Sequence, residues 1–202
     1  PSIANITTAN AGTYSVTATV SGCVSSVATT SVTINATPLT PTAASNSPVC
    51  AGATLSLTSN TVGGAIYSWT GPNSFSSALE DPTISNVTTA ASGTYSVTAS
   101  VGGCTSPIGT TSVTINPIPA APTAASNSPM CIGSTLSLTA SNISGATYTW
   151  SGPNSFSSAS QNPTIGSTGT VNSGTYSVTA TVLGCTSTAG TTSVVVSPPP
   201  AA

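Results

Sequence analysis

The stretch GTYSVTASV, residues 93–101, decides the fold. Tyr95, Val97, Ala99 and Val101 alternate in it with Thr94, Ser96, Thr98 and Ser100. A period of two sends one row of side chains into a core and the other into water, which is the mark of a half-buried strand. The stretch recurs as GTYSVTATV at 12–20 and again at 174–182, so Tyr14, Tyr95 and Tyr176 share one interval (95 − 14 = 176 − 95 = 81). Cys23, Cys104 and Cys185 keep the same interval, as do Trp69 with Trp150 and Cys50 with Cys131. A repeat of this length exceeds a solenoid unit and matches a small domain, so the chain reads as a domain array.

Outward from this stretch, TLSLT (Leu55, Leu57) and TTSVTI (Val113, Ile115) alternate in the same way, and no segment carries an i, i+3, i+4 apolar pattern. Strands are expected in the middle repeat at 53–59, 65–70, 82–86, 94–101 and 109–116, with a weaker one at 42–46 and a short one at 74–77. Short strands rich in Val, Thr, Ile and Tyr, punctuated by Gly and Pro, point to an all-β protein of tandem immunoglobulin-like sandwiches. Proline-rich stretches mark linkers at 37–40, 118–121 and 199–202, which leaves domains at 41–117 and 122–198 and the C-terminal half of a repeat at 1–36. Semi-rigid proline linkers predict an elongated array. Because Pro1 falls in register with Pro82 and Pro163, the chain is expected to be a section of a longer polymer of repeats. Residues 1–36 hold only the last strands of a sandwich, so its other strands are expected from upstream sequence or another chain.

Composition excludes whole classes of function. The chain has no Lys, Arg or His, and Glu80 and Asp81 are its only acidic side chains. Acid–base catalysis at neutral pH lacks candidates, and an enzyme is not expected. Nucleic-acid binding, which needs cations to displace counterions from phosphates, is excluded, and so is polybasic attraction to anionic lipid. No apolar run approaches the ~20 residues of a membrane helix. Glu80 and Asp81 are weighed as a calcium site between domains, but the matching residues in the last repeat are Gln161 and Asn162, and hard cations want several carboxylates. A solvated loop is the expectation, with no metal and no cofactor.

Five cysteines remain. Each full repeat carries two, 54 apart (104 − 50 = 185 − 131 = 54), and Cys23 is the second member of a pair whose first would lie upstream. Paired cysteines in so small a domain read as disulfides of an oxidising compartment, since neither His nor CxxC accompanies them. The aromatics of YSWTGPNSF (Tyr67, Trp69, Phe75) and YTWSGPNSF (Tyr148, Trp150, Phe156) could form a sugar platform, yet Trp69 and Trp150 occupy the place of a sandwich core tryptophan. Tyr14, Tyr95 and Tyr176 resemble a tyrosine corner and are assigned to the core. Asn5, Asn35, Asn86 and Asn142 begin N-x-S/T sequons, which a Ser/Thr-rich chain produces often by chance. Thr13, Ser15, Thr17 and Thr19 line a wet strand face that invites comparison with ice-binding arrays, although Thr is ordinary in strands.

Together the strings C-x-G-x-T-L-S-L-T, Y-x-W-x-GPNSF, DPTI or NPTI, SGTYSVTA and GC-T-S resemble the Ig-like repeats of giant secreted surface adhesins from gliding bacteria that use the type IX secretion system. The resemblance implies an extracellular, cell-surface, non-catalytic stalk or filament segment, whose partners are neighbouring repeats and other copies in a filament. It also implies disulfides joining Cys50 with Cys104 and Cys131 with Cys185. One tension accompanies that pairing: Ser59 and Val97 stand where an ordinary Ig bridge would be, and the cysteines flank those strands near opposite ends of the sandwich. Such sites lie farther apart than the ~5.5 Å between Cα atoms that a disulfide spans. Either the local topology differs or the bridges link adjacent domains, for instance Cys50 with Cys185. The rival function is a carbohydrate- or ice-binding module, and burial of Trp69 and Trp150 separates the two.

Overall fold

A computed structural model describes residues 1–199; of the expected terminal linker, 200–202 lie outside them. The chain forms two compact units. One contains Pro1–Ser47, Leu55–Ile84 and Ala90–Val113, and the other Pro48–Thr54, Ser85–Thr89 and the residues from Thr114 on. The division passes through the middle repeat: its Cys50 turn and its last strand belong with the final repeat.

In the second unit the final repeat forms a two-sheet sandwich. One sheet orders Ala124–Ser126, Leu136–Ala140 and Thr164–Ile165; the other orders Phe156–Ser158, Thr147–Gly152, Gly174–Val182 and Cys185–Thr186, with Gly190–Val194 also paired to Gly174–Val182. Alternation in each strand turns Leu136, Leu138 and Ala140 of the first sheet onto Tyr148, Trp150, Tyr176, Val178, Ala180 and Val194 of the second, in one buried cluster. That is the face-to-face packing of two half-apolar sheets. The first unit repeats the two sheets at the corresponding residues, Leu55–Thr58 with Ala44–Ser45 and Thr83–Ile84, and Gly93–Val101 with its neighbours. Pro41 and Pro122 are buried, and their carbonyls lie where a side chain on Gly109 or Gly190 would have to go.

The observed strands follow the expected map, and an all-β tandem Ig-like fold is what the chain adopts. Two kinds of element escape the map. The two-residue strands Val49–Cys50 and Met130–Cys131, which pair in parallel with Ile115–Asn116 and Val196–Ser197, are too short to show a period. Three 3-10 turns, Thr8–Asn10, Thr89–Ala91 and Thr170–Asn172, precede the tyrosine strands.

The assignment of Tyr14 to the core needs correction. Tyr95 and Tyr176 are fully buried, whereas Tyr14 is 39% exposed. Residues 1–36 supply the Gly12–Val16 and Ala28–Val32 pair and the hairpin Thr19–Val20 with Cys23–Val24, but no Leu-bearing sheet to cover them.

Candidate functional site

The chemistry of this chain concentrates at its cysteines. Val182 and Cys185 face each other across a two-residue loop, Leu183 and Gly184, whose φ angles are +49° and +80°. Positive φ at both central positions is the hairpin turn whose twist matches that of the strands. Cys185 is thereby fixed at a hairpin tip. Cys50 is placed by a different element: Val49–Cys50 runs parallel to Ile115–Asn116 with Cys50 opposite Asn116, and Ala51 N donates to Asn116 O at 2.8 Å. The turn after it is tied down where Gly52 N donates to Val87 O (2.7 Å) and Val87 N to Ala53 O (3.0 Å). Asn116 joins the two elements, since its Nδ2 donates to Leu183 O at 3.2 Å and its own carbonyl lies 3.9 Å from Cys185 Sγ.

The result is a Cys50–Cys185 disulfide with 5.6 Å between Cα atoms, closing 135 residues of sequence. The separation is one repeat plus the spacing within a repeat (81 + 54 = 135), so the bond joins consecutive repeats. The pairing implied by the resemblance, Cys50 with Cys104 and Cys131 with Cys185, is corrected accordingly. Cys23, Cys104 and Cys131 are free thiols. The reason lies in strand pairing: Cys50 sits at the end of its own sandwich, against Asn116, and the thiol within reach there belongs to the next repeat.

The aromatic residues are structural. Trp69 and Trp150 are fully buried, and each indole N–H donates to a backbone carbonyl, Glu80 O at 3.1 Å and Gln161 O at 3.2 Å. Tyr67 OH donates to Asn60 O and accepts from Val62 N; Tyr148 makes the same pair of bonds to Ser141 and Ile143. Phe75 and Phe156 meet Tyr95 and Tyr176 edge-on, centroids 5.5 Å apart. The GPNSF segment is a hairpin turn: Asn73 and Ser74 have φ of +54° and +56°, and Phe75 N donates to Pro72 O. A sugar platform built on these rings loses its residues.

Asp81 Oδ1 accepts from Ser59 N at 2.9 Å, and Asn162 Oδ1 accepts from Ala140 N at 3.1 Å in the equivalent place. The carboxylate therefore does the work of a neutral amide, holding a strand end. Glu80 accepts from Thr61 Oγ1. Among the described residues no group of three or more His, Cys, Asp or Glu side chains gathers as for a metal ion, and no helix is long and apolar enough to cross a membrane. The sequon residues Asn5, Asn35, Asn86 and Asn142 are exposed. Hydroxyls line the outer sheet faces in cross-strand rows, Ser76, Thr70, Ser96 and Thr110 in one repeat and Ser157, Ser151, Ser177 and Thr191 in the next.

The architecture defines a class: tandem Ig-like β-sandwiches cross-linked from one repeat to the next. Among solved structures, the chain is similar to the N-terminal eight Ig domains of Down Syndrome Cell Adhesion Molecule isoform 1.30.30, with a TM-score of 0.51 and 17% identity. That match covers 94% of this chain and 28% of the other. The chain also matches extracellular domains 3-5 of Drosophila OTK (TM-score 0.45, 13% identity, 95% of this chain and 73% of that one). Murine CEACAM1b matches as well (TM-score 0.45, 13% identity, 80% of this chain and 98% of that one). At such identities the first likeness is one of fold. No protein-family model matches the chain, nor does the sequence of any curated protein.

Proposed function

We propose that this chain is a non-catalytic stalk or filament segment of an extracellular, cell-surface adhesin of the type IX secretion kind, whose work is mechanical. The observation that carries the reading is the Cys50–Cys185 disulfide. A covalent tie between consecutive repeats does nothing for a binding pocket, but it determines how tension travels. When the two ends are pulled apart, the covalent path enters at Cys50 and leaves at Cys185 through the sulfur bridge, and the residues between them lie outside that path. The bond is also consistent with an oxidising compartment. The lack of Lys, Arg and His supports the reading from the chemical side.

Force extension of single molecules held at both ends tests it. Under non-reducing conditions the stretch from Cys50 to Cys185 stays closed; after reduction its 135-residue span becomes releasable. At about 3.5 Å per residue that adds about 470 Å of contour length. A chain that gives the same extension with and without reductant would overturn the mechanical reading, as would catalytic turnover by the oxidised chain.

A further inference from the structure

A polar contact recurs between one repeat and the hairpin tip of the next. Asn116 ends the Ile115–Asn116 strand opposite Cys50 and is only 9% exposed. A side-chain amide placed there costs stability unless it is hydrogen-bonded. Its Nδ2 donates to Leu183 O at 3.2 Å, while its backbone carbonyl lies 3.9 Å from Cys185 Sγ. One residue therefore touches the hairpin tip at two points and pairs with Cys50 across the strands.

Asn35 makes the same two contacts one repeat earlier. Its Nδ2 donates to Gly102 O at 2.7 Å, and its carbonyl accepts from the Cys104 thiol at 3.5 Å. Both amides reach 67 positions ahead (102 − 35 = 183 − 116 = 67), to the first residue of a two-residue hairpin loop. Gly102 and Leu183 have φ of +56° and +49°, so it is the turn, not a side chain, that presents the carbonyl. Gly and Leu can therefore serve alike. A side chain on Gly102 would meet Asn35 Nδ2, and where Leu stands in that place the amide lies farther off, at 3.2 Å instead of 2.7 Å.

We propose that Asn116 is a positioning residue for the Cys50–Cys185 bond: it clasps the hairpin tip of the next repeat before the sulfurs join, and so selects the partner of Cys50. Hairpins form in microseconds and disulfides in seconds to hours, so the clasp is complete when oxidation begins. In the reduced chain the Cys185 thiol donates to Asn116 O, as the Cys104 thiol does to Asn35 O. With glutathione disulfide as oxidant, the half-buried Cys50 reacts ahead of the buried Cys185. The Cys50 thiolate attacks one glutathione sulfur and expels the other as a thiolate. The clasped Cys185 thiolate then attacks Cys50 Sγ and expels the second glutathione. The two cysteine protons end on the departing thiolates, so one glutathione disulfide is reduced to two thiols. The clasp stands whether or not the chain serves as a stalk.

The test equilibrates the whole chain in a series of glutathione redox buffers and maps the cysteines by mass, giving the effective concentration of Cys185 at Cys50. Asn116→Ala keeps the backbone pairing but loses the amide, and is expected to lower that effective concentration about fivefold or more, with Cys50–Cys104 peptides rising at its expense. Asn35→Ala removes the equivalent contact one repeat earlier and should leave the Cys50–Cys185 value within about twofold of the parent. In the Cys50→Ser chain, where the bond cannot form, the side-chain amide of Asn116 should still exchange its hydrogens as slowly as in the parent. An unchanged value in Asn116→Ala, or an equal fall in Asn35→Ala, would overturn the proposal. So would rapid exchange of that amide in Cys50→Ser, since the clasp would then follow the bond instead of preceding it.

Discussion

Tyr95 shows how one residue type serves two ends. Its ring is fully buried, which suits an aromatic, while its hydroxyl donates to Ala91 O at 3.0 Å and so satisfies a carbonyl of the preceding 3-10 turn. Tyr176 does the same to Asn172 O at 3.0 Å, and Tyr14, though open, to Asn10 O at 2.7 Å. Burial lifts the phenol pKa of Tyr95 above its ordinary value of 10.0; for Tyr176 burial also dominates, opposed by the side-chain amide of Asn172. A phenol whose pKa is higher folded than unfolded contributes stability that is complete below the unfolded value. That stability is lost as pH rises from there through the folded value. Denaturant stability is therefore expected to fall above about pH 10. Tyr95→Phe removes one hydrogen bond, costing about 1 kcal/mol at neutral pH, and makes the alkaline fall shallower. Urea titrations across the alkaline range check this; an unchanged slope in Tyr95→Phe would count against it.

Among the elements, the hairpin of Ile66–Gly71 and Phe75–Ser77 is specified by its closed end. Gly71 and Phe75 face each other at its closed end, and a side chain built on Gly71 would run into the Tyr95 ring; Gly152 and Tyr176 repeat the arrangement. Gly71→Ala is expected to destabilise the fold by about 1–3 kcal/mol, because the ring it displaces is packed on all sides. Thermal or denaturant melts of Gly71→Ala and Gly152→Ala measure it, and a neutral result for both would show that the ring can move aside. This hairpin was legible in part. Alternation in YSWT marked the strand, but Asn73 and Ser74 as positive-φ turn residues, and Gly71 as the seat of a tyrosine ring, follow only once two strands are paired. The two-residue strands at Val49–Cys50 and Met130–Cys131 were illegible for a simpler reason: a period of two cannot show itself in two residues.

At the scale of the whole molecule, the described residues hold one cross-linked pair of cysteines, Cys50 and Cys185. Closing 135 residues contributes about 5 kcal/mol in the chain-entropy model. Cys50→Ser and Cys185→Ser should each forfeit that contribution, and the double variant should be no worse than either. Cys104→Ser and Cys131→Ser should stay within about 0.5 kcal/mol of the parent. Denaturant midpoints without reductant give the ranking, and peptide mapping with a protease that does not need Lys or Arg identifies the bond. Recovery of a Cys50–Cys104 peptide would refute the inter-repeat link.

The sequence by itself determined the repeat, its sandwich fold and its buried Trp and Leu positions, because alternation along a strand is a local property that every residue pair reports. It also placed the cysteines in register. Which cysteine meets which was decided only by tertiary structure. The partner of Cys50 is chosen by a two-residue parallel pairing and an asparagine bridge to a hairpin tip in the next repeat, contacts between residues far apart in sequence.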